Sequence, residues 1–315
     1  MVRNSTGNQR WRTLQGALAA LLFGLLNAAV AADEPRPVID VHLHSSWWGQ
    51  PGLLTPLTGD TAPDSESAHR SKTLDELRRM GIVVGLVDGR NATAWVEESV
   101  GRLLRAQSPC GPKADPAILR ELLEQGEIAA VSEFAPQYGG LAPDDPSIAH
   151  CFELAETYDV PVGIHMGLGP PSAAYRGRPN YRMALSNPLL LEEVLIKHPK
   201  LRLWVMHAGW PMLDEMLGLL YAHPQVYLDI SVINWVLPRE EFHHYLRRLV
   251  GAGFHERILF GSDQMQWPQA IGKGIDAIES ANFLSEAQKH DILCNNAARF
   301  LRLDPAVCGD APSGP

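Results

Sequence analysis

The sequence contains no basic block or stripe: 27 Lys and Arg are outnumbered by 36 Asp and Glu, giving a formal net charge of −9. Nothing in it would neutralise a run of phosphates, so no nucleic-acid partner is expected. The acidity serves solubility. Neither G-x-G-x-x-G nor G-x-x-x-x-G-K-[ST] occurs, which removes the two common phosphate-cradling loops. The only cysteines are Cys110, Cys151, Cys294 and Cys308, with no C-x-x-C spacing, so a cysteine-held zinc is not expected. Cys294 and Cys308 are near enough in sequence to pair, but all three ways of pairing four cysteines stay open. Beyond residue 31 no apolar run approaches the ~20 residues that a membrane span needs. There is no internal repeat and no low-complexity tract.

What is present begins with a leader. Arg3, Arg10 and Arg12 precede an apolar stretch from Leu14 to Val30, and Ala29-Val30-Ala31 is a small-x-small cleavage site. Residues 1–31 therefore read as a secretory signal peptide rather than a retained anchor. The mature chain, residues 32–315, is expected to be periplasmic or secreted and free of the membrane after cleavage.

With 45% apolar and 20% charged residues, the mature chain has an ordinary globular composition. Short continuous apolar runs alternate with helical patterns along it. Strands are expected at Val38 to His44, Ile82 to Val87, Arg102 to Gln107 (the weakest), Ile128 to Phe134, Val160 to His165, Leu201 to His207, Val226 to Ser231 and Ile258 to Asp263. Helices are expected at Thr73 to Met80, Pro116 to Gln125, His150 to Tyr158, Asn187 to His198, Pro211 to His223, Pro238 to Ala252, Pro268 to Ser280 and Ser285 to Phe300. Strands of this kind between helices indicate an α/β fold with a buried parallel sheet. Eight such units in one domain fit a (β/α)8 TIM barrel, distorted where the third strand is weak. A doubly wound open sheet is the runner-up.

The chemistry lies where the strands end. Side chains alternate along a strand, so His42 and His44 in Asp40-Val41-His42-Leu43-His44 share a face and could grip one cation. His165, His207 and Asp263 each end a further strand. All five thus sit at carboxyl ends, where barrel enzymes build their active sites. Core histidines have no reason to choose that place repeatedly, so the set points to a metal centre.

The ordered set of H-x-H, His, His and a final Asp on successive strands resembles the amidohydrolase superfamily, and in detail its amidohydrolase-related branch of lactonases and non-oxidative decarboxylases. The stretches concerned are Val38 to His44, Gly163 to Gly167, Met206 to Gly209, Leu259 to Asp263 and Asn295 to Leu301. The resemblance implies one divalent ion, zinc first, held by His42, His44, His165 and Asp263. It implies Asp263 as the proton carrier and His207 as the neighbouring acid/base or polarising group. Glu133, near the end of the fourth strand, is either a further ligand, as in TatD-like hydrolases, or a carboxylate that orients an imidazole. No lysine occupies that strand, so a carbamylated-lysine two-metal centre is not expected. Asp40, Asp229 and Ser231 face the same choice between buried support and chemistry.

The implied function is hydrolysis of an amide, ester or lactone bond of a small molecule by water that the ion has acidified to hydroxide. The alternative is a metal-dependent decarboxylase of a small aromatic acid, and a third reading is a ligand-binding protein without turnover. Loops above the strands would hold the substrate: Trp47 and Trp48, Arg90, Tyr175 and Arg176, Arg178 and Tyr181, Trp210, Trp235, then Gln264, Gln266 and Trp267. Tryptophans there would suit an apolar or aromatic substrate, and arginines a carboxylate. A homodimer is the partner state left open.

Overall fold

The computed structural model describes residues 35–55 and 58–309. The expected leader, residues 1–31, lies outside the described residues. Among those described, no helix is long and apolar enough to cross a membrane.

Strands β1 (Val38–His44), β2 (Ile82–Asp88) and β3 (Leu103–Arg105) pair in parallel. So do β4 (Val131–Phe134), β5 (Val162–His165), β6 (Leu203–Met206), β7 (Val226–Asp229) and β8 (Ile258–Leu259), in sequence order. Two seams join the groups. A parallel bridge between Ala106 and Ala130 links β3 to β4. Across the other seam Val41 N–H donates to the Phe260 carbonyl at 3.0 Å and Asp263 N–H to the His42 carbonyl at 2.8 Å. The strands therefore run round a closed ring rather than an open doubly wound sheet.

The helices cover the ring: α1 (Glu66–Arg79), α2 (Ala92–Glu98), α3 (Pro116–Glu124), α4 (Ala149–Thr157), α5 (Glu192–Lys197), α6 (Leu213–Ala222), α7 (Ile233–Val236), α8 (Arg239–Gly251), α9 (Gln269–Glu279), α10 (Glu286–His290) and α11 (Asn296–Leu301). One apolar cluster, with Val38, Leu77, Leu119, Phe152, Leu220 and Phe242, packs strands against helices. A second gathers Ile39, Val41, Leu86, Ala106, Ala130, Trp204, Met206 and Leu259 with Ala297 and Phe300 of α11. Burial of both sets removes apolar surface from water at roughly 25 cal/mol per Å².

Local differences from the sequence reading have local causes. Helix α1 begins two turns before Thr73, because Ser65 Oγ caps it by accepting the Ala68 N–H at 3.2 Å. Its first turns are polar, which hid them. Helix α2 was not expected at all. The final helical stretch is interrupted by a π-helical turn at Asp291–Asn295. Strand β8 stops at Leu259, short of Asp263, and both Asp263 and Met265 take positive φ, 48° and 47°. The cysteines pair as Cys110–Cys151 and Cys294–Cys308.

One packing detail ties the ring to the site. Gly163 in β5 lies opposite Trp204 in β6, and a Cβ there would stand 2.2 Å from the indole Cζ2. The buried indole uses that notch, and its N–H donates to Asp229 Oδ2 at 3.1 Å. Gly163→Ala should therefore cost about 2–3 kcal/mol of stability through overpacking. Urea denaturation checks this; a change within about 0.5 kcal/mol, the range of an indifferent surface substitution, would contradict it.

Candidate active site

At the carboxyl ends of the strands, four histidines are each held from behind by an acceptor. That fixes which nitrogen faces forward. His44 Nδ1 lies 2.6 Å from Asp88 Oδ1 and donates to it. The other Asp88 oxygen accepts the Glu133 backbone N–H at 2.8 Å, so one carboxylate at the end of β2 orients both residues. Ser231 Oγ donates to Asp229 Oδ1 at 2.5 Å and accepts from His42 Nδ1 at 2.9 Å and His207 Nδ1 at 3.0 Å. His207 Nδ1 is also 3.2 Å from the Ser231 carbonyl, which can only accept. His165 donates from Nε2 to the Leu168 carbonyl at 2.6 Å. The forward atoms are thus Nε2 of His42, His44 and His207 and Nδ1 of His165, each of which offers a lone pair when its ring is neutral.

These lone pairs meet carboxylate oxygens. His44 Nε2 stands 3.2 Å from His42 Nε2, 3.0 Å from Asp263 Oδ1 and 3.5 Å from Glu133 Oε2. His42 Nε2 is 3.9 Å from each of those two oxygens. Asp263 Oδ1 is buried and has no hydrogen-bond partner. Donors around a tetrahedral ion at ~2.0–2.2 Å are roughly 3.3–3.6 Å apart, and the distances from the two imidazoles scatter about that range, from 3.0 to 3.9 Å. His42, His44 and Glu133 alone already satisfy the mutual spacing of a metal-ligand group.

The geometry groups the expected ligands unevenly. Glu133 Oε2 faces His42 and His44, as Asp263 Oδ1 does, whereas His165 lies on the far side of the Glu133 carboxylate. The chain after β5 turns back at Gly167 (φ 78°), and the Leu168 carbonyl takes His165 Nε2. His165 Nδ1 instead contacts Glu133 Oε1, on the far side of that carboxylate, and lies 3.2 Å from His207 Nε2. His207 Nε2 faces His165 Nδ1 and, at 3.7 Å, Glu133 Oε1.

Charge shapes the cluster. Burial pulls the His42 imidazole down, but Asp263, Asp229 and Glu133 outweigh it and hold its pKa well above the usual range. Burial likewise opposes, and Asp88 and Asp263 override, at His44. Glu133 is driven up by burial and, more strongly, down by His165, His207 and His42, to end well below an ordinary carboxylate. Beneath them burial pushes Asp40 up to about 7. Asp229 is also buried, yet its bonds to His42 and Ser231 bring it down to about 2. His207 and Asp263 sit in the left-handed region, φ 58° and 48°, which strains a residue with a Cβ by about 1 kcal/mol or more.

The rim residues divide. Gln266 is fully buried; its amide clamps the Ser46 carbonyl at 2.5 Å and the Trp48 N–H at 2.8 Å, so it holds the first loop rather than a substrate. Gln264 does the same for both backbone groups of His44. Tyr175 is 92% exposed and Arg176 is exposed, both projecting to solvent. Arg90 is exposed, with its backbone N–H on Ser46 Oγ at 3.0 Å. Trp210 is tied outward to Glu241 of α8 at 3.1 Å. Trp235 is buried, its N–H on the Ser262 carbonyl at 2.7 Å, and lies 6.3 Å from the Trp267 ring, which meets Trp48 edge-on at 5.7 Å. Trp47 buries its indole nitrogen without a partner. Sequence reasoning missed Asp88 and Tyr138. Asp88 ends β2 as the histidines end their strands, so the same criterion would have found it. Tyr138 packs edge-on to His165 at 5.2 Å, stacks on Tyr181 at 5.4 Å and carries the Arg178 guanidinium 5.2 Å from its ring.

With no ion bound, the raised pKa values keep protons on His42 and His44 to higher pH than usual. Cation uptake must displace them. Affinity for zinc should therefore climb with pH between about 6 and 8, roughly tenfold per unit for each proton displaced. Competition with a chromophoric chelator measures it; a flat profile would contradict the assignment.

The amidohydrolase family model matches residues 39–303. No curated protein matches the sequence. A structure described as a probable 2-pyrone-4,6-dicarboxylic acid hydrolase from Acinetobacter baumannii, with citric acid bound, is 17% identical at a TM-score of 0.61, covering 84% of this chain and 99% of that one. A dihydroxybenzoic acid decarboxylase from Polaromonas, with manganese and the inhibitor 2-nitroresorcinol, is 16% identical at 0.59, covering 85% and 97%. An amidohydrolase from Burkholderia multivorans with bound zinc is 18% identical at 0.54, covering 85% and 100%. At such identities these likenesses show the fold alone, that of the TIM barrel. With the family model spanning most of its length, the chain belongs to the amidohydrolase family.

Proposed function

We propose that the chain is an exported, metal-dependent hydrolase that opens an amide, ester or lactone bond of a small molecule. The observation that carries this reading is the convergence of two imidazole lone pairs and two carboxylate oxygens, one of them, Asp263 Oδ1, buried without any partner. His42 and His44 through Nε2, Glu133 through Oε2 and Asp263 through Oδ1 would hold the ion. Zinc is the ion proposed, although this donor set also suits manganese. When bound, a divalent ion polarises a carbonyl and lowers the pKa of water to about 7.

The remaining steps fall to the chain. Asp263 turns one oxygen to the cluster, and its carboxylate can take a proton from the attacking water and pass it to the leaving atom. Ser231, between His42 and His207, keeps both rings in the tautomer that leaves Nε2 free. Tyr138 and Tyr181 offer an aromatic face beside His165, and Arg178 above Tyr138 has no carboxylate partner among the described residues. An acidic substituent on the substrate would meet it there.

The decarboxylase reading is kept because the Polaromonas decarboxylase shares the fold and its structure carries manganese. A pH-stat separates the two: hydrolysis of a lactone or ester liberates acid, and decarboxylation liberates carbon dioxide. Turnover on a panel of lactones, esters and amides should vanish with a chelator and return with added zinc. Asp263→Asn should lower kcat by roughly 10²–10⁴-fold. Chelator-insensitive hydrolysis, or carbon dioxide as the product, would overturn the hydrolase reading.

A further inference from the structure

Glu133 is held through its backbone as well as its side chain. Its N–H donates to Asp88 Oδ2 at 2.8 Å, and its carbonyl accepts the Ser108 hydroxyl at 2.5 Å. Ser108 lies in the segment between β3 and α3. The start of that segment is tied to the chain entering β4, where Gln107 N–H donates to the Ala130 carbonyl at 3.1 Å. For residues 108–114, the Ser108 bond is the only hydrogen bond to the rest of the chain among the described residues. The other anchor is covalent: Cys110 is joined by a disulfide to Cys151 in α4. Phe152, next to Cys151, packs on Phe134, next to Glu133, with ring centroids 5.7 Å apart. The bridge closes a sequence separation of 41, and Glu133 lies inside that loop.

The bridge is placed to be opened. Cys110 is half-buried and Cys151 fully buried, so an incoming thiolate meets the Cys110 sulfur first. Cys151 Sγ lies 3.4 Å from His150 Nε2. An imidazole so close favours the thiolate that leaves on Cys151. With an external dithiol as reductant, one of its thiolates bonds to Cys110 Sγ and the protein's S–S bond breaks. The electron pair of that bond leaves on Cys151, which then takes up a proton. The second thiolate of the dithiol attacks the dithiol sulfur now bound to Cys110 and releases Cys110, which is protonated in turn. The protein gains two electrons and two protons, and the dithiol becomes a cyclic disulfide. The other pair, Cys294 and Cys308, is fully buried at both ends.

We infer that the Cys110–Cys151 disulfide is a strut that, through Ser108, sets the position of Glu133, so that opening it with a dithiol loosens the cation site. This rests on the reading of Glu133 as a ligand and deepens it. Ser108 and the disulfide touch no ion themselves; they are positioning groups, acting through the Glu133 carbonyl as Asp88 acts through its N–H. Removing a group that orients a ligand lowers metal affinity by about 10–100-fold.

The probe is manganese(II), because a dithiol would itself bind zinc. Unbound manganese is measured by its EPR signal over the purified full chain, before and after dithiothreitol, with the freed thiols capped by iodoacetamide and located by mass spectrometry. Capping should fall on Cys110 and Cys151 before Cys294 and Cys308, and the capped chain should bind manganese about 10–100-fold more weakly. Cys110→Ser combined with Cys151→Ser should weaken binding likewise, and so should Ser108→Ala alone, whereas Ser108→Thr keeps the hydroxyl and should restore it. Cys294→Ser combined with Cys308→Ser should leave the affinity unchanged. Circular dichroism reports folding, and the Ser108 variants carry the test if the Cys110 and Cys151 variant does not fold. Unchanged affinity in the reduced chain and in Ser108→Ala would overturn the strut and leave the hydrolase reading standing. A loss on reduction without one in Ser108→Ala would overturn the route through Ser108. An equal loss in the Cys294 and Cys308 variant would mark a general loss of stability and overturn the strut as well. No manganese bound by the oxidised chain would overturn the cation site itself, and the strut with it.

Discussion

Lone pairs of like kind, buried and facing one another across 3–4 Å, need a positive charge between them. The carboxyl end of this barrel is arranged around that constraint. His42, His44, Glu133 and Asp263 bring forward only acceptor atoms, and Asp263 Oδ1 finds no hydrogen to accept. Leaving such a group unpaired costs several kcal/mol in a dry interior. A divalent ion resolves the conflict directly, and the raised imidazole pKa values express the same demand in protons.

Everything behind the cluster keeps the acceptors facing forward. Asp88 turns His44 and pins the backbone of Glu133. Ser231, with Asp229 under it, sets His42 and His207 together. Asp229 is in turn fixed by Trp204, whose indole fits only because β5 carries a glycine at position 163. Gly261 gives the same kind of room, since a Cβ there would press on His42 Cβ at 2.9 Å and Ser231 Cβ at 3.1 Å. Packing and side-chain direction are thus one chain of causes running from the ring of strands to the candidate site.

Much of this was legible in the sequence, and the reasons differ by level. Buried parallel strands write themselves as short apolar runs, so the α/β ring and the placement of His42, His44, His165 and His207 at strand ends could be read directly, with Asp263 just beyond the last strand. The polar start of α1 could not, because its cap and its buried His69 carry no apolar periodicity. Ligand direction was not legible either. Whether His165 or Glu133 completes the first cluster depends on which nitrogen the Leu168 carbonyl captures, a matter of loop path rather than residue type. Loop residues such as Gln266 and Trp210 were read as substrate contacts from their position, whereas their polar atoms are already used by the backbone and by Glu241.

The most direct test of the central claim is anomalous diffraction from zinc-loaded crystals, recorded on both sides of the zinc edge. The account predicts an anomalous peak about 2.0–2.2 Å from His42 Nε2, His44 Nε2, Glu133 Oε2 and Asp263 Oδ1. A peak bound by His165 Nε2 in place of Glu133, or no peak among these four atoms, would contradict it.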